Sequence, residues 1–549
     1  MPESSSIAVR ARQALVDKAF EVRVLRESGI LAPQRPDKTA RVLAAFLRWG
    51  ASPALGITTA AIKHPHEPGL IDERGSLSFE QLHRRSNALA HAFERMGIGP
   101  GDGVGIMCRN HRGFVEATLA TAKLGASALY LNTMFAGPQL VEVMRREAPK
   151  ALVYDEEFTG LLEGVDEGIA RIVGWADDET DAPTLESLIA ANDDSNLKPP
   201  PDKPRFVILT SGTTGTPKGA QRSSPDGLLS IAALIDKIPF RSREKMMVAA
   251  PLFHSWGFFH FVMSLPTAST LVLRRRFDPE ETLRAVQEHR TEVLAAVPVM
   301  IQRILQLPDE TLASYDLSSL RITSLSGSAL PGELAIEWMD RFGDTVYNLY
   351  GSTEVAYATV ATPEDLRAAP GTAGRPPRGT VVRIYDEEGR ELPAGDVGRI
   401  FVGNEMSFEG YTGGGGKQAI DGLLSSGDVG HFDPAGRLFV DGRDDEMIVS
   451  GGENVFPREV EDLLADHEAV VEVAVIGVED EEFGQRLKAF VVRAQGVEVG
   501  EDELKAHVKS NLAGYKTPRE IEFMNELPRN ATGKVLKREL HTREAERSL

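Results

Sequence analysis

Five short stretches carry residue types suited to handling anions. Residues 210–219 read TSGTTGTPKG, with three glycines, four threonines, one serine and one lysine directly after the apolar run FVIL at 206–209. A glycine-rich loop leaving a strand presents backbone N–H groups to an anion, and hydroxyls with a lysine add donors and charge that suit phosphates. The spacing is not that of the nucleotide triphosphatase loop, because Lys218 follows Pro217 and precedes Gly219. YGSTE at 350–354 groups an aromatic ring, hydroxyls and a carboxylate, and SSGDVG at 425–430 places Asp428 in a tight turn. GRDDEMIVSGGENVFP at 442–457 carries Arg443, a polar turn and a glycine pair, and PRNATGK at 528–534 ends on Lys534. Taken alone, each has a plain structural reading: a mobile connection, a core tyrosine, a turn former, a surface ion pair, a solvated lysine.

Such loops need rigid strand ends to hold them. From about residue 67 strands and helices alternate: a capping-box pattern at Ser78 and Gln81 ahead of a helix to about 96, a strand at 103–108, a helix at 113–125, then strand-like runs at 151–154, 205–209, 246–249, 270–273, 293–297 and 321–325. That order predicts an α/β fold with mostly parallel, helix-covered sheets. After about 380 short strands with Gly/Asp turns predict a β-rich subdomain to about 442. Beyond GRDDE, the pattern helix 457–466, strands 470–477 and 487–493, helix 501–512 and a strand near 520–524 predicts a small, mobile α+β domain. The expected division is a helical extension at 1–50, a large N-terminal domain at 51–444 and a C-terminal domain at 445–549.

Composition bounds the function. The 549-residue chain is 42% hydrophobic and 26% charged, an ordinary globular balance. A net charge of -20 argues against a general nucleic-acid binder, which needs a basic surface. One cysteine, Cys108, leaves no internal disulfide or cysteine zinc cage and fits a reducing cytosol. No apolar run approaches a membrane span, and MPESSSIAVRARQ lacks the apolar core of a signal peptide, so a soluble cytoplasmic protein is expected. The first fifty residues hold nine Lys/Arg against five Asp/Glu, in helical patterns at 7–27 and 39–48, the second preceded by Asp37 as a cap. Two helices packed on the body are the simpler reading; a peripheral membrane contact is the other.

In their order, the five stretches resemble the acyl-adenylate-forming superfamily of acyl-CoA synthetases, adenylation domains and firefly-type luciferases, over about 60–540. Within it, PLFHSWG at 251–257 and PVMIQRIL at 298–305 are most similar to bacterial fatty-acid-CoA ligases. The resemblance implies an AMP-forming acid-thiol ligase using ATP and CoA as co-substrates with Mg2+. It assigns Thr210, Ser211, Gly212, Thr213, Thr214, Gly215 and Lys218 to the β- and γ-phosphates, Glu354 to Mg2+, and Thr353 to the α-phosphate. Tyr350 and Gly351, with the backbone of Gly327 and Ser328, take the adenine; Asp428 and Arg443 take the ribose; Lys534 bridges carboxylate and α-phosphate. Asp445 falls at the hinge about which the C-terminal domain turns to bring Gly451 and Gly452 to the thiol channel. His254 lies in the gate segment, as a gate or as a packed histidine, and Trp256, Phe258 and Ala329 line the acyl side.

Ser426 stands where many relatives have threonine, and YTGGGGK at 411–417 has four glycines where relatives often have proline and an acidic residue. The apolar segment LFHSWGFFHFVM and the small Gly327, Ser328 and Ala329 favour a medium- or long-chain fatty acid, with an aryl or sterol-side-chain acid as rival. A ligase loading a carrier protein shares every motif. A luciferase-like oxygenase shares the fold, and a non-catalytic copy is disfavoured by the presence of Glu354, Asp428 and Lys534.

Overall fold

The computed structural model describes residues 7–201, 204–210, 218–222, 228–352, 354–406, 408–411, 416–446, 448–450, 453–480, 484–512, 514–530 and 533–547. In a first sheet Arg205–Thr210, Ser127–Tyr130, Gly103–Met107, Ala151–Asp155 and Ala170–Trp175 run parallel, with Lys218–Arg222 and Phe408–Tyr411 added antiparallel at one edge. In a second, Val346–Tyr350, Ile322–Leu325, Val293–Ala296, Lys245–Val248, Thr270–Leu273 and Pro68–Asp72 are parallel in that spatial order, and Thr359–Ala361 and Gly75–Ser78 close the edges antiparallel. Unbroken apolar runs such as VLAA and TLVL are what strands covered on both faces require.

Helices between the strands bring the two sheets together. Phe79–Arg95 opens with the expected capping box: Gln81 N–H donates to Ser78 Oγ at 3.2 Å, and Ser78 N–H donates to Gln81 Oε1 at 2.8 Å. One buried cluster passes through both sheets, from Phe114 and Tyr130 to Phe261 and Trp338. Polar ties cross the same boundary. Arg112 Nη2 lies 2.5 Å from Asp72 Oδ1; burial works to raise this carboxyl, but the hydrogen bonds from Arg112 outweigh it and hold it below the usual range.

The β-rich part is an antiparallel sheet of Val381–Tyr385, Gly398–Gly403, Leu423–Phe432 and Ala419–Ile420, with Leu438–Arg443 paired to Leu423–Phe432. One short turn, Asp444–Glu446, separates it from the last sheet, built from Glu453–Val455, Ile448–Ser450, Gly484–Arg493, Val470–Asp480 and Glu520–Met524. That sheet has its own core, including Val460, Leu464, Val475 and Leu504.

At the N-terminus lie α1 (Ile7–Glu27), α2 (Pro36–Trp49) and α3 (Pro53–Lys63). Asp37 does not cap α2: Arg35 occupies the cap position without a side-chain bond, and Pro36, whose φ is preset for a first turn, starts the helix early. α1 is docked on the body, with Arg378 Nη2 2.8 Å from Asp17 Oδ1 and Arg23 Nη2 3.0 Å from Asp236 Oδ1. Among the described residues no helix is long and apolar enough to cross a membrane.

Candidate active site

Several parallel strands of the second sheet and Arg205–Thr210 of the first border one cleft at or beyond their C-terminal ends, the usual ligand position in such folds. Thr210 is the last residue of its strand and Lys218 the first of the next, and the two are paired across the antiparallel ladder. Ser211, Gly212, Thr213, Thr214, Gly215, Thr353, Gly451 and Gly452 lie outside the described residues. The remaining expected residues, apart from Thr210, Lys218 and Asp445, converge. A cavity of about 1250 Å³ is lined by His254, Trp256, Phe258, Gly327, Ser328, Ala329, Tyr350, Gly351, Glu354, Asp428, Arg443 and Lys534.

Asp428 sits in the centre of the polar end. Its strand pairs with Leu438–Arg443 so that Asp428 is directly opposite Arg443, and Arg443 Nη1 lies 3.4 Å from Asp428 Oδ1. Tyr350 Oη donates to Asp428 Oδ2 at 2.5 Å. Burial raises the Asp428 carboxyl, against the opposing pull of Tyr350, Arg443 and Lys534; burial first, and then the Asp428 charge, push the Tyr350 phenol up. The turn that aims Asp428 depends on Gly427 at φ +83° and on Ser426, whose Oγ accepts the Asp428 N–H at 3.1 Å and donates to Ile400 O at 3.2 Å. The hydroxyl of Ser426 therefore does the positioning that a threonine there would do. Ser352 fixes Glu354 in a similar way, donating to Oε2 at 2.9 Å and accepting the Glu354 N–H at 3.2 Å.

Lys534 reaches this cleft from the C-terminal sheet's domain. Its loop is a tight turn in which Lys534 N–H donates to Asn530 Oδ1 at 2.9 Å and Gly533 adopts φ +77°. A Cβ on Gly533 would lie 2.2 Å from Val299 Cγ1, and Gln302 Nε2 donates to Val471 O at 3.0 Å. These contacts seat one domain on the other with Lys534 facing Asp428. Asp445 lies in the turn between the two sheets, two residues after Arg443.

The apolar end is built on the helix Ser255–Thr267. Asn110, from the loop after the first sheet's central strand Gly103–Met107, positions its approach: Nδ2 donates to Val248 O at 3.1 Å and Ala250 O at 2.9 Å, and Oδ1 accepts the Leu252 N–H at 2.8 Å. Trp256 is anchored, with Nε1 donating to Ala296 O at 3.1 Å and Ser324 O at 3.2 Å. Phe258 packs on Tyr130 and Phe206. His254 is partly buried in the cavity wall, and desolvation of its ring pushes it down to about 4, so it is neutral at pH 7; its Nε2 is buried with no hydrogen-bond partner among the described residues.

Two lining residues escaped the sequence analysis. Asn348 is buried with Oδ1 unpartnered among the described residues; it precedes Tyr350 by two on one strand, and that period would have placed both on the same face. Lys417 ends the glycine run and closes on Gly427, where a Cβ would sit 3.2 Å from its Nζ. The buried group Cys108, His111 and Asp155 has metal-like spacing, but His111 Nδ1 accepts the Gly113 N–H at 3.0 Å while Nε2 meets Asp155 Oδ1 at 2.8 Å. Both ring nitrogens are engaged, and the group caps a helix.

Comparison with known proteins agrees with this geometry. The AMP-binding enzyme family matches residues 57–412, and the AMP-binding enzyme C-terminal domain matches 459–534. A fatty acid–[acyl-carrier-protein] ligase, ScoC, of Streptomyces coeruleorubidus is 31% identical over 498 residues, covering 87% of this chain and 94% of its own. A feruloyl-CoA synthase of an Amycolatopsis species is 34% identical over 492 residues, covering 87% and 96%. The ATP-bound structure of MatB from Rhodopseudomonas palustris superposes with a TM-score of 0.78 at 27% identity, covering 92% of this chain and 98% of its own. With both domains matched and the polar residues of four separate motifs gathered at one cleft, this chain belongs to the AMP-binding enzyme family of adenylate-forming enzymes.

Proposed function

We propose that the protein activates a medium- or long-chain fatty acid as its acyl-adenylate and then transfers the acyl group to CoA. The observation that carries this reading is the continuity of the cavity from Asp428, Arg443 and Lys534 to the apolar face of the Ser255–Thr267 helix. A carboxylate is a poor electrophile because oxide is a poor leaving group. Attack of its oxygen on the α-phosphate of ATP, with release of pyrophosphate, replaces that leaving group with AMP. The thiolate of CoA then attacks the acyl carbon and AMP departs.

The chain's residues bind and orient. Tyr350 stacks on the adenine, and the open Oδ1 of Asn348 accepts from its exocyclic amine. Asp428 accepts both ribose hydroxyls, which requires Tyr350 Oη to yield its place, and Arg443 donates to the same sugar. The segment from Thr210 to Lys218, whose two ends are paired strand residues, holds the β- and γ-phosphates. Lys534 neutralises the approach of two anions as the new P–O bond forms. Glu354 with the Ser352 hydroxyl is an oxygen donor set that fits Mg2+, which would draw charge from the triphosphate. His254, uncharged and apolar-walled, shapes the passage between nucleotide and acyl chain. Residues 51–444 and 445–549 move as two bodies about Asp445, and turning the second withdraws Lys534 and delivers Gly451 and Gly452 to the thiol.

An aryl acid and a carrier-protein thiol are the alternatives, favoured by the feruloyl-CoA synthase and the acyl-carrier ligase among the relatives. Acid-dependent ATP–pyrophosphate exchange over saturated fatty acids, cinnamates and a steroid side-chain acid, followed by thioester formation with CoA or a holo-carrier protein, tests the reading. Exchange confined to aryl acids, or acyl transfer confined to the carrier, would replace it.

A further inference from the structure

The cavity does not stop at the helix Ser255–Thr267. The residues of that 13-residue helix that line it, including Phe258, Phe259, Val262 and Pro266, recur at three and four positions, a stripe about 12 Å long from Phe258 to Pro266 at the helical rise. At the far end of the stripe lies α3, packed close because Gly56 stands where a Cβ would meet Leu265 Cβ at 2.6 Å. Beyond α3 the lining is completed by Ile30 and Leu31, from the turn after α1, and by Val42 and Phe46, one turn apart on α2.

This last segment is fixed in place. Lys63 Nζ donates to Ile30 O at 3.1 Å, Lys38 Nζ donates to Lys63 O at 2.6 Å, and Ser242 N–H donates to Ser28 O at 2.7 Å. Leu31 is nonetheless 49% exposed and Phe46 50% exposed, so the same side chains that line the cavity also face outward. They form an apolar second mouth, opposite the nucleotide. All four residues precede residue 57, where the match to the AMP-binding enzyme family begins, so this mouth lies outside the matched segment.

We infer that Leu31, Val42 and Phe46 are specificity-determining residues that hold the distal end of a long acyl tail and so select long acids over short ones. The inference rests on the fatty-acid reading of the cavity. A tail that runs the length of the Ser255–Thr267 helix emerges between these side chains and removes their apolar surface from water. A short tail ends before it meets them.

The test is Leu31→Asp and Phe46→Asp, chosen because both positions are half exposed and a carboxylate there remains solvated, with folding checked by circular dichroism. Acid-dependent ATP–pyrophosphate exchange is measured with octanoate, too short to run the helix, and with palmitate. For palmitate, KM should rise and kcat/KM should fall by about tenfold or more, the scale of a lost apolar contact in a specificity pocket, while kcat and the octanoate parameters stay within about twofold. Phe46→Trp should keep the palmitate preference. Equal losses for both acids, or an unchanged palmitate KM in an enzyme that uses palmitate, would overturn the inference and leave the fatty-acid reading standing. A wild-type enzyme that exchanges with neither fatty acid would overturn both.

Discussion

Substituting Gly533 by alanine should uncouple the two half-reactions. Gly533 is at φ +77°, and its ideal Cβ would sit 2.2 Å from Val299 Cγ1 across the junction of the two domains. The added methyl therefore has two costs. The left-handed backbone costs an L-residue about 1–2 kcal/mol wherever the domain sits. The clash costs a further 1–3 kcal/mol or so, the scale of one surplus group in a packed site, and only while Lys534 is docked in the cleft. The backbone cost is common to both orientations and lowers stability alone, so adenylation, read by ATP–pyrophosphate exchange, should fall by the clash, about 1–3 kcal/mol, or roughly 5- to 150-fold. Conversion of synthetic acyl-adenylate plus CoA should be nearly unchanged, because in the proposed turned orientation Gly533 has left Val299. Removing the obstacle in Val299→Ala/Gly533→Ala should recover the clash and bring adenylation to within about twofold of Val299→Ala, with the backbone cost left as a lower stability. If Gly533→Ala slowed both half-reactions alike, or if Val299→Ala gave no recovery, the docking contact would not be what presents Lys534.

Lys534→Ala should slow adenylation by about 3–5 kcal/mol, on the order of a hundred- to several-thousandfold, and spare thioester formation from acyl-adenylate; equal loss in a folded variant contradicts the assignment. Asp445→Pro, restricting the backbone of the inter-sheet turn, should preserve pyrophosphate exchange and depress thioester formation, as measured by the same pair of assays. Burial lowers His254 and His260 to about 4, so between about pH 6.5 and 4 the unfolded chain binds protons that the folded one refuses, and stability should fall as pH drops through that window. His254→Gln should flatten the corresponding slope of Tm against pH. On α2 the exposed Leu43 and Leu47 stand with Arg41 and Arg48, and liposome co-sedimentation should show more binding to anionic than to neutral vesicles, reduced by Leu43→Asp/Leu47→Asp; negligible binding to both by the wild type would exclude a peripheral membrane role.

What could be read without coordinates was local. Ser78 and Gln81 announce a helix start because a capping box is made within four residues, and VLAA or TLVL announce buried strands because their apolarity is unbroken. The turn at Ser426–Asp428 is likewise written in adjacent residues, since a glycine at positive φ and a hydroxyl two positions before an N–H suffice to form it. The chemistry of Asp428, Arg443 and Lys534 became legible through the ordered set of motifs, each of which is a short contiguous string.

Tertiary structure decided which distant strings meet. Asn348 looks like any strand residue until its Oδ1 is found buried and open to the cleft, and Lys417 looks like a loop lysine until it closes on Gly427. Phe46 and Leu31 join the cavity wall only because α3 packs against Leu265 and carries the N-terminal turn with it. The orientation that points Lys534 at Asp428 is set by Gly533 against Val299 and by Gln302 bonded to Val471. Those contacts join residues far apart in the chain, and their existence depends on how two cores are docked, which no local pattern of side chains specifies.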